Sequence, residues 1–150
     1  MGSDIRSSVS KNFSLPTAFI SAMSSVILTY FRMTLNLGGL ATSPLTLVEF
    51  RCLLACRRRA RQIDPPLERL ALAEFDRDVQ ARTWRIQLDA ISLFNEARQL
   101  IDLIPELPLR ALDALHLAHA RHYGATSFAT ADKNQAEAAR ALGIPVFTFY

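Results

Sequence analysis

Three acids stand where the sequence makes a free carboxylate inconvenient. Glu49 lies in LTLVEFRCLLAC, with Leu45, Thr46, Cys52 and Leu53 as its i±3 and i±4 neighbours, an almost wholly apolar helical face. A carboxylate there costs free energy unless something pairs with it, and nothing close in sequence does. Asp113 lies in ALDALHLA, among Leu109, Arg110, His116 and Leu117. Asp132 follows the strand-like SFATA, at the carboxyl edge of the sheet, where open α/β folds bind ligands. Each acid also has a plainer reading. Asp132 could serve only as a helix N-cap, and Asp113 could pair with Arg110 or His116; Glu49 is the hardest to explain that way. Converging carboxylates repel one another unless a divalent cation lies between them. Hard oxygen ligands with open positions suit Mg²⁺ or Mn²⁺ acting on phosphates.

Other reactive side chains point less clearly to chemistry. His116, His119 and His122 are three apart, and steps of three drift by about 60° around a helix, so they do not share one narrow face. Cys52 and Cys56 make neither a disulfide framework nor a zinc site, and read as small core residues in a reducing cytosol. Arg57, Arg58, Arg59 and Arg61 end one helix; they suit a solvated, dipole-favoured terminus, or phosphate steering and contact with an acidic partner. Trp84 and the phenylalanines read as core more than as a base-stacking platform.

The elements that must position these residues follow from the punctuation of the chain. Leu40 to Thr42 is a short strand. Ser43 reads as an N-cap with Pro44 at the first helical position, and the helix runs through LTLVEFRCLLACRRRAR to stop before Pro65-Pro66. A second helix is expected over 67–82, and Trp84, Ile86 and Leu88 alternate as in a strand. Asp89 is placed to cap a helix over 90–103, and a helix over 109–123 closes at Gly124. Residues 127–131 form a strand, Asp132 and Gln135 have capping-box spacing for a helix over 133–142, and 144–149 is the last strand. Strands alternating with helices argue for one α/β domain with a mostly parallel sheet covered on both faces. The 150 residues suffice for such a core without metal or disulfide. The net charge of +3 is compatible with a nucleic-acid or acidic-protein partner, and every basic residue except Lys11 and Lys133 is arginine.

The front of the chain differs. Residues 1–48 hold one acid, Asp4, and the uncharged run 17–31 is shorter than the ~20 apolar residues a membrane span needs. With Arg6 and Lys11 ahead of it the run has some look of a signal-peptide core, but the apolar MTLNLGGLA after Arg32 favours a buried strand or helix.

TSPLTLVEF at 42–50, LRALDALHLAHARHYGA at 109–125 and FATADKNQAEAARALGIPVF at 128–147 resemble the PIN-domain ribonucleases, most nearly the VapC-type toxins of toxin–antitoxin pairs. The likeness spans about residues 38–150 and implies an α/β/α sandwich around a short, mostly parallel sheet, with residues 1–37 an atypical segment that could add a first strand or helix. It implies that Glu49, Asp113 and Asp132 are catalytic and bind Mg²⁺ or Mn²⁺, and that Thr130 is the small hydroxyl residue often found two positions before the last aspartate. The family opens with an apolar strand ending in an L-D-[ST]-S type motif whose aspartate is a further ligand. That motif is not matched here, and Asp4 in DIRSSV is the one acid available to stand for it. An altered start or reading frame upstream of Gly38 would explain a resemblance that begins so abruptly. The resemblance therefore implies a metal-dependent endoribonuclease that hydrolyses RNA phosphodiester bonds. Its partners would be RNA, a cognate antitoxin and a second copy in a homodimer; its place would be the cytoplasm, with no membrane. A second reading is a PIN module without catalysis that binds RNA or antitoxin. A third, export or membrane association, rests on residues 17–31 alone.

Overall fold

The structure, a computed structural model, describes residues 32–35, 40–82, 85–87 and 91–148. Asp4, the run 17–31, Gly38, Trp84, Leu88 and Asp89 lie outside the described residues, with the expectations placed on them. The elements are β1 (Arg32–Leu35), β2 (Leu40–Thr42), α1 (Leu45–Arg59), α2 (Pro65–Gln80), β3 (Arg85–Ile86), α3 (Ile91–Leu103), α4 (Ala111–His122), β4 (Ala125–Thr130), α5 (Lys133–Ala141) and β5 (Val146–Thr148).

The sheet has the order β3-β2-β1-β4-β5. β2 pairs parallel with β3, and β4 with β5, as expected of strands joined through helices. β1 runs antiparallel to both its neighbours, so four strands share one direction and the central one opposes them. The architecture is the expected α/β/α sandwich with a short, mostly parallel sheet. In β4 the residues Ser127, Phe128, Ala129 and Thr130 are buried in succession, which requires cover on both faces of the sheet.

Two clusters fill the interior. The larger joins Phe128 to Leu117 and the small alanines of α4, to Leu93, Ala97 and Leu100 on α3, and to Ala138 and Ala139 on α5. The spacing of the α3 residues is that of a single helical face. α4 is buried nearly all round, and its alanines let α3 and β4 approach it closely. The smaller cluster holds α1 to α2 through Phe50, Leu54, Ala71 and Phe75, with the two phenylalanine rings stacked at 4.3 Å.

Helix termini show where local signals act. Ser43 Oγ accepts the Leu45 N–H at 3.1 Å, and the helix begins just past Pro44. α2 starts earlier than the sequence suggests: Pro65 and Pro66 sit inside its first turn, with Asp64 Oδ1 capping the Leu67 N–H at 2.8 Å. First-turn prolines lack N–H groups that would have had no helical partner anyway, so they open this helix instead of separating two. Gly124 and Gly143 close α4 and α5 at positive φ, as expected. After α1 and α2, arginines take that conformation, Arg61 at φ 56 and Arg82 at φ 54. A left-handed backbone strains a side chain that has a Cβ, so Arg82→Gly should stabilise the protein by about 1 kcal/mol in urea unfolding. An unchanged or lower midpoint would show that the turn carries no such strain.

Candidate active site

Because β2 and β4 run the same way, their carboxyl ends, Thr42 and Thr130, lie at one edge of the sheet, with the Arg32 end of β1 between them. This is the edge from which α1 and α5 depart. At the β2 end, Thr42 and Thr46 hydroxyls are hydrogen-bonded at 2.7 Å and fully buried, tying the strand to the first turn of α1. Glu49 follows one turn on. Its face is less enclosed than the sequence suggests: Leu45 and Leu53 are half-buried, Cys52 is exposed, and the Glu49 side chain is 33% exposed. The buried stripe of α1 is the narrow line Thr46, Phe50 and Leu54. Glu49 Oε2 lies 2.8 Å from Nε2 of His116, whose side chain is buried. The carboxylate left without a partner within α1 thus finds one on α4.

Asp113 occupies the third position of α4. Its Oδ2 accepts from the backbone N–H of Arg110 at 3.3 Å and from Arg110 Nε at 2.9 Å. Asp132 divides its two oxygens. Oδ1 caps α5 by accepting the Gln135 N–H at 3.0 Å, while Oδ2 accepts from Arg110 Nη2 at 3.0 Å. Two carboxylates from two helices therefore converge on one guanidinium. Asp113 stands in the first turn of α4 and Asp132 at the N-cap of α5, where the helix dipole favours negative charge. The hydrogen bond from Asp113, then its charge, and then that of Asp132 raise the Arg110 pKa above its already high ordinary value.

Thr130 sets the backbone beneath Asp132. Its hydroxyl oxygen accepts the Asp132 N–H at 3.0 Å and donates its own proton to Gln135 Oε1 at 2.6 Å. In the expected capping box the Gln135 side chain would reach that N–H itself; the threonine is interposed instead. The remaining histidines serve other elements, His119 Nε2 donating to the Gln87 carbonyl at 3.1 Å and His122 Nδ1 lying 2.9 Å from Glu96 Oε1.

These acids fit a hard divalent cation in donor type: Asp113 and Asp132 already face a common cation, and Glu49 is fastened one turn along the helix that carries Asp113. As the side chains lie, with Arg110 on the aspartates and His116 on Glu49, no three acids, histidines or cysteines among the described residues are grouped to hold an ion. The central strand brings no acid to this edge, since β1 reads Arg-Met-Thr-Leu.

Two expectations need correction. Cys52 and Cys56 are exposed, not core, because α1 buries too narrow a stripe to include them; Cys56 Sγ accepts from Arg59 Nη2 at 3.0 Å. The basic run is also partly committed, with Arg58, together with Arg51, paired to the buried Glu68 of α2. The phenylalanines divide: Phe50, Phe75 and Phe128 are core, while Phe94 and Phe147 are about half exposed. The role of Arg110 at Asp132 was not legible, although its i, i+3 spacing to Asp113 was visible. No helix among the described residues is long and apolar enough to cross a membrane.

Thr130→Val should cost about 2 kcal/mol, because it leaves the buried Gln135 oxygen and the Asp132 N–H without their partner. Thr130→Ser should recover most of that loss in thermal or urea unfolding; equal losses for both would assign the effect to packing alone.

Against known families, the PIN domain matches over residues 19–141, extending upstream of the motifs that carry the resemblance. No curated protein and no solved structure gives a significant match.

Proposed function

This chain belongs to the PIN-domain family, whose members are generally nucleases that use divalent metal ions, and from that premise we propose that it is a metal-dependent endoribonuclease, the VapC-type toxin of a toxin–antitoxin pair acting in the cytoplasm. The observation that carries this reading is the convergence of Asp113 and Asp132, from separate helices, on one cationic position at the carboxyl edge of the sheet. Asp113, Glu49 and Asp132 are the proposed ligands of Mg²⁺ or Mn²⁺, which when bound supplies polarisation of the scissile phosphate and a lowered pKa for the attacking water.

The other groups prepare those ligands. His116 fixes the orientation of Glu49 through Nε2, and Thr130 holds the backbone from which Asp132 projects. The arginines at the end of α1 provide a positive approach for the RNA backbone, their charge retained even where Glu68 pairs with one of them. A cognate antitoxin and a second copy of the chain are the proposed protein partners. In support, Ile91, Phe94 and Ile101 are exposed along one face of α3, an apolar surface suited to association.

RNA cleavage by the full chain should require Mg²⁺ or Mn²⁺ and stop with EDTA. Asp113→Asn should slow it at least about a hundredfold, since even groups one bond removed from a metal cost about ten- to a hundredfold when lost. Undiminished cleavage in EDTA would sink the metal mechanism. RNA binding without cleavage under any of these conditions would identify instead a PIN module that has lost its chemistry.

A further inference from the structure

Arg110 does what a metal ion would be asked to do. Its Nε and Nη2 atoms lie 2.9 and 3.0 Å from the Oδ2 atoms of Asp113 and Asp132, so one fork contacts both carboxylates and offsets part of their charge. Without a cation between them, two carboxylates at one site oppose each other's ionisation. The arrangement is also one that can open. The Arg110 side chain is 73% exposed, and its long stem can swing into water. Its backbone N–H would still be bonded to Asp113, so α4 keeps its cap whether or not the guanidinium is in place. A single positive charge held in this way is a weaker neutraliser than a divalent ion with oxygen ligands, but it is always present because the chain itself supplies it.

We propose that Arg110 is a tethered cation that occupies the metal position between Asp113 and Asp132 in the metal-free protein and competes with the divalent ion for it. The inference rests on the proposed reading of those aspartates as metal ligands. Metal occupancy then depends on displacement of a side chain from the same polypeptide, so the apparent affinity for the ion is lower than the carboxylates alone would give. In its absence Arg110 bridges the two acids and holds the two helix ends together.

Mn²⁺ titrated calorimetrically into the full-length wild type, Arg110→Ala, Arg110→Gln and Asp113→Asn tests this, together with melting temperatures with and without the ion. Competition between the guanidinium and the ion is a coupling between two binding events, typically worth about 5- to 150-fold, so removing it should tighten Mn²⁺ binding about tenfold or more. Both Arg110 variants should also melt lower than wild type without metal and gain more from Mn²⁺; Arg110→Gln removes the charge but keeps a polar side chain and its aliphatic stem should the alanine variant fold poorly. Measurable wild-type binding with equal or weaker affinity in both variants would overturn the competition while leaving the metal-ligand reading intact. Silence in wild type and both Arg110 variants alike would overturn the ligand reading and this inference with it. Binding in the variants but not in wild type would be its strongest support, and loss of binding in Asp113→Asn would place the ion at these carboxylates.

Discussion

Negative charge gathered at one edge of a sheet has to be met by positive charge, and much of the local structure around that edge follows from how this chain meets it. Asp113 sits in the first turn of one helix and Asp132 at the N-cap of another, where unpaired N–H groups and the helix dipole already favour an anion. That accounts for each acid singly. It does not account for the two being brought together, and Arg110 does so by extending one fork to both. Glu49 is treated differently, drawn to a buried imidazole on α4 and left partly in water. The edge thus holds acids of unlike surroundings, two bridged by an exposed guanidinium and one hydrogen-bonded to a buried imidazole.

α4 is the element that makes this possible. Its alanines permit close packing against α3 and β4, so the few polar groups it carries are held by rigid surroundings. Asp113 and His116, one turn apart, face different partners, Arg110 and Glu49, and the buried Thr130 and Gln135 support the neighbouring helix end. Most of this buried polar cluster is tolerable because its members bond one another, although the Gln135 Nε2 amide finds no partner among the described residues.

Much of this was legible in the sequence where the signal was local. Gly124 and Gly143 end their helices where expected, Asp132 caps α5, and the alternation of strands with helices led to the sandwich. Signals failed where the deciding partner is distant or absent from the local pattern. Nothing around Glu49 announces His116, which lies 67 positions away. The Pro65-Pro66 pair reads as a separator until it is seen to open α2. The exposure of Cys52 and Cys56 follows from the narrowness of the α1 stripe, which a helix so rich in apolar residues conceals. The reversed course of β1 likewise depends on pairing with β2 and β4, not on its own four residues.

α4 also sends three histidines and one aspartate to separate destinations: Arg110 before its first turn, Glu49 on α1, the carbonyl of Gln87 after β3, and Glu96 on α3. Each residue along a helix turns the chain by about 100°. A single codon gained or lost between Asp113 and His116 would therefore rotate every later side chain away from its partner while leaving the helix itself intact. In this stretch the reading of the gene is locked in phase to the geometry of the fold, so that substitutions can be absorbed one at a time but a change of length cannot.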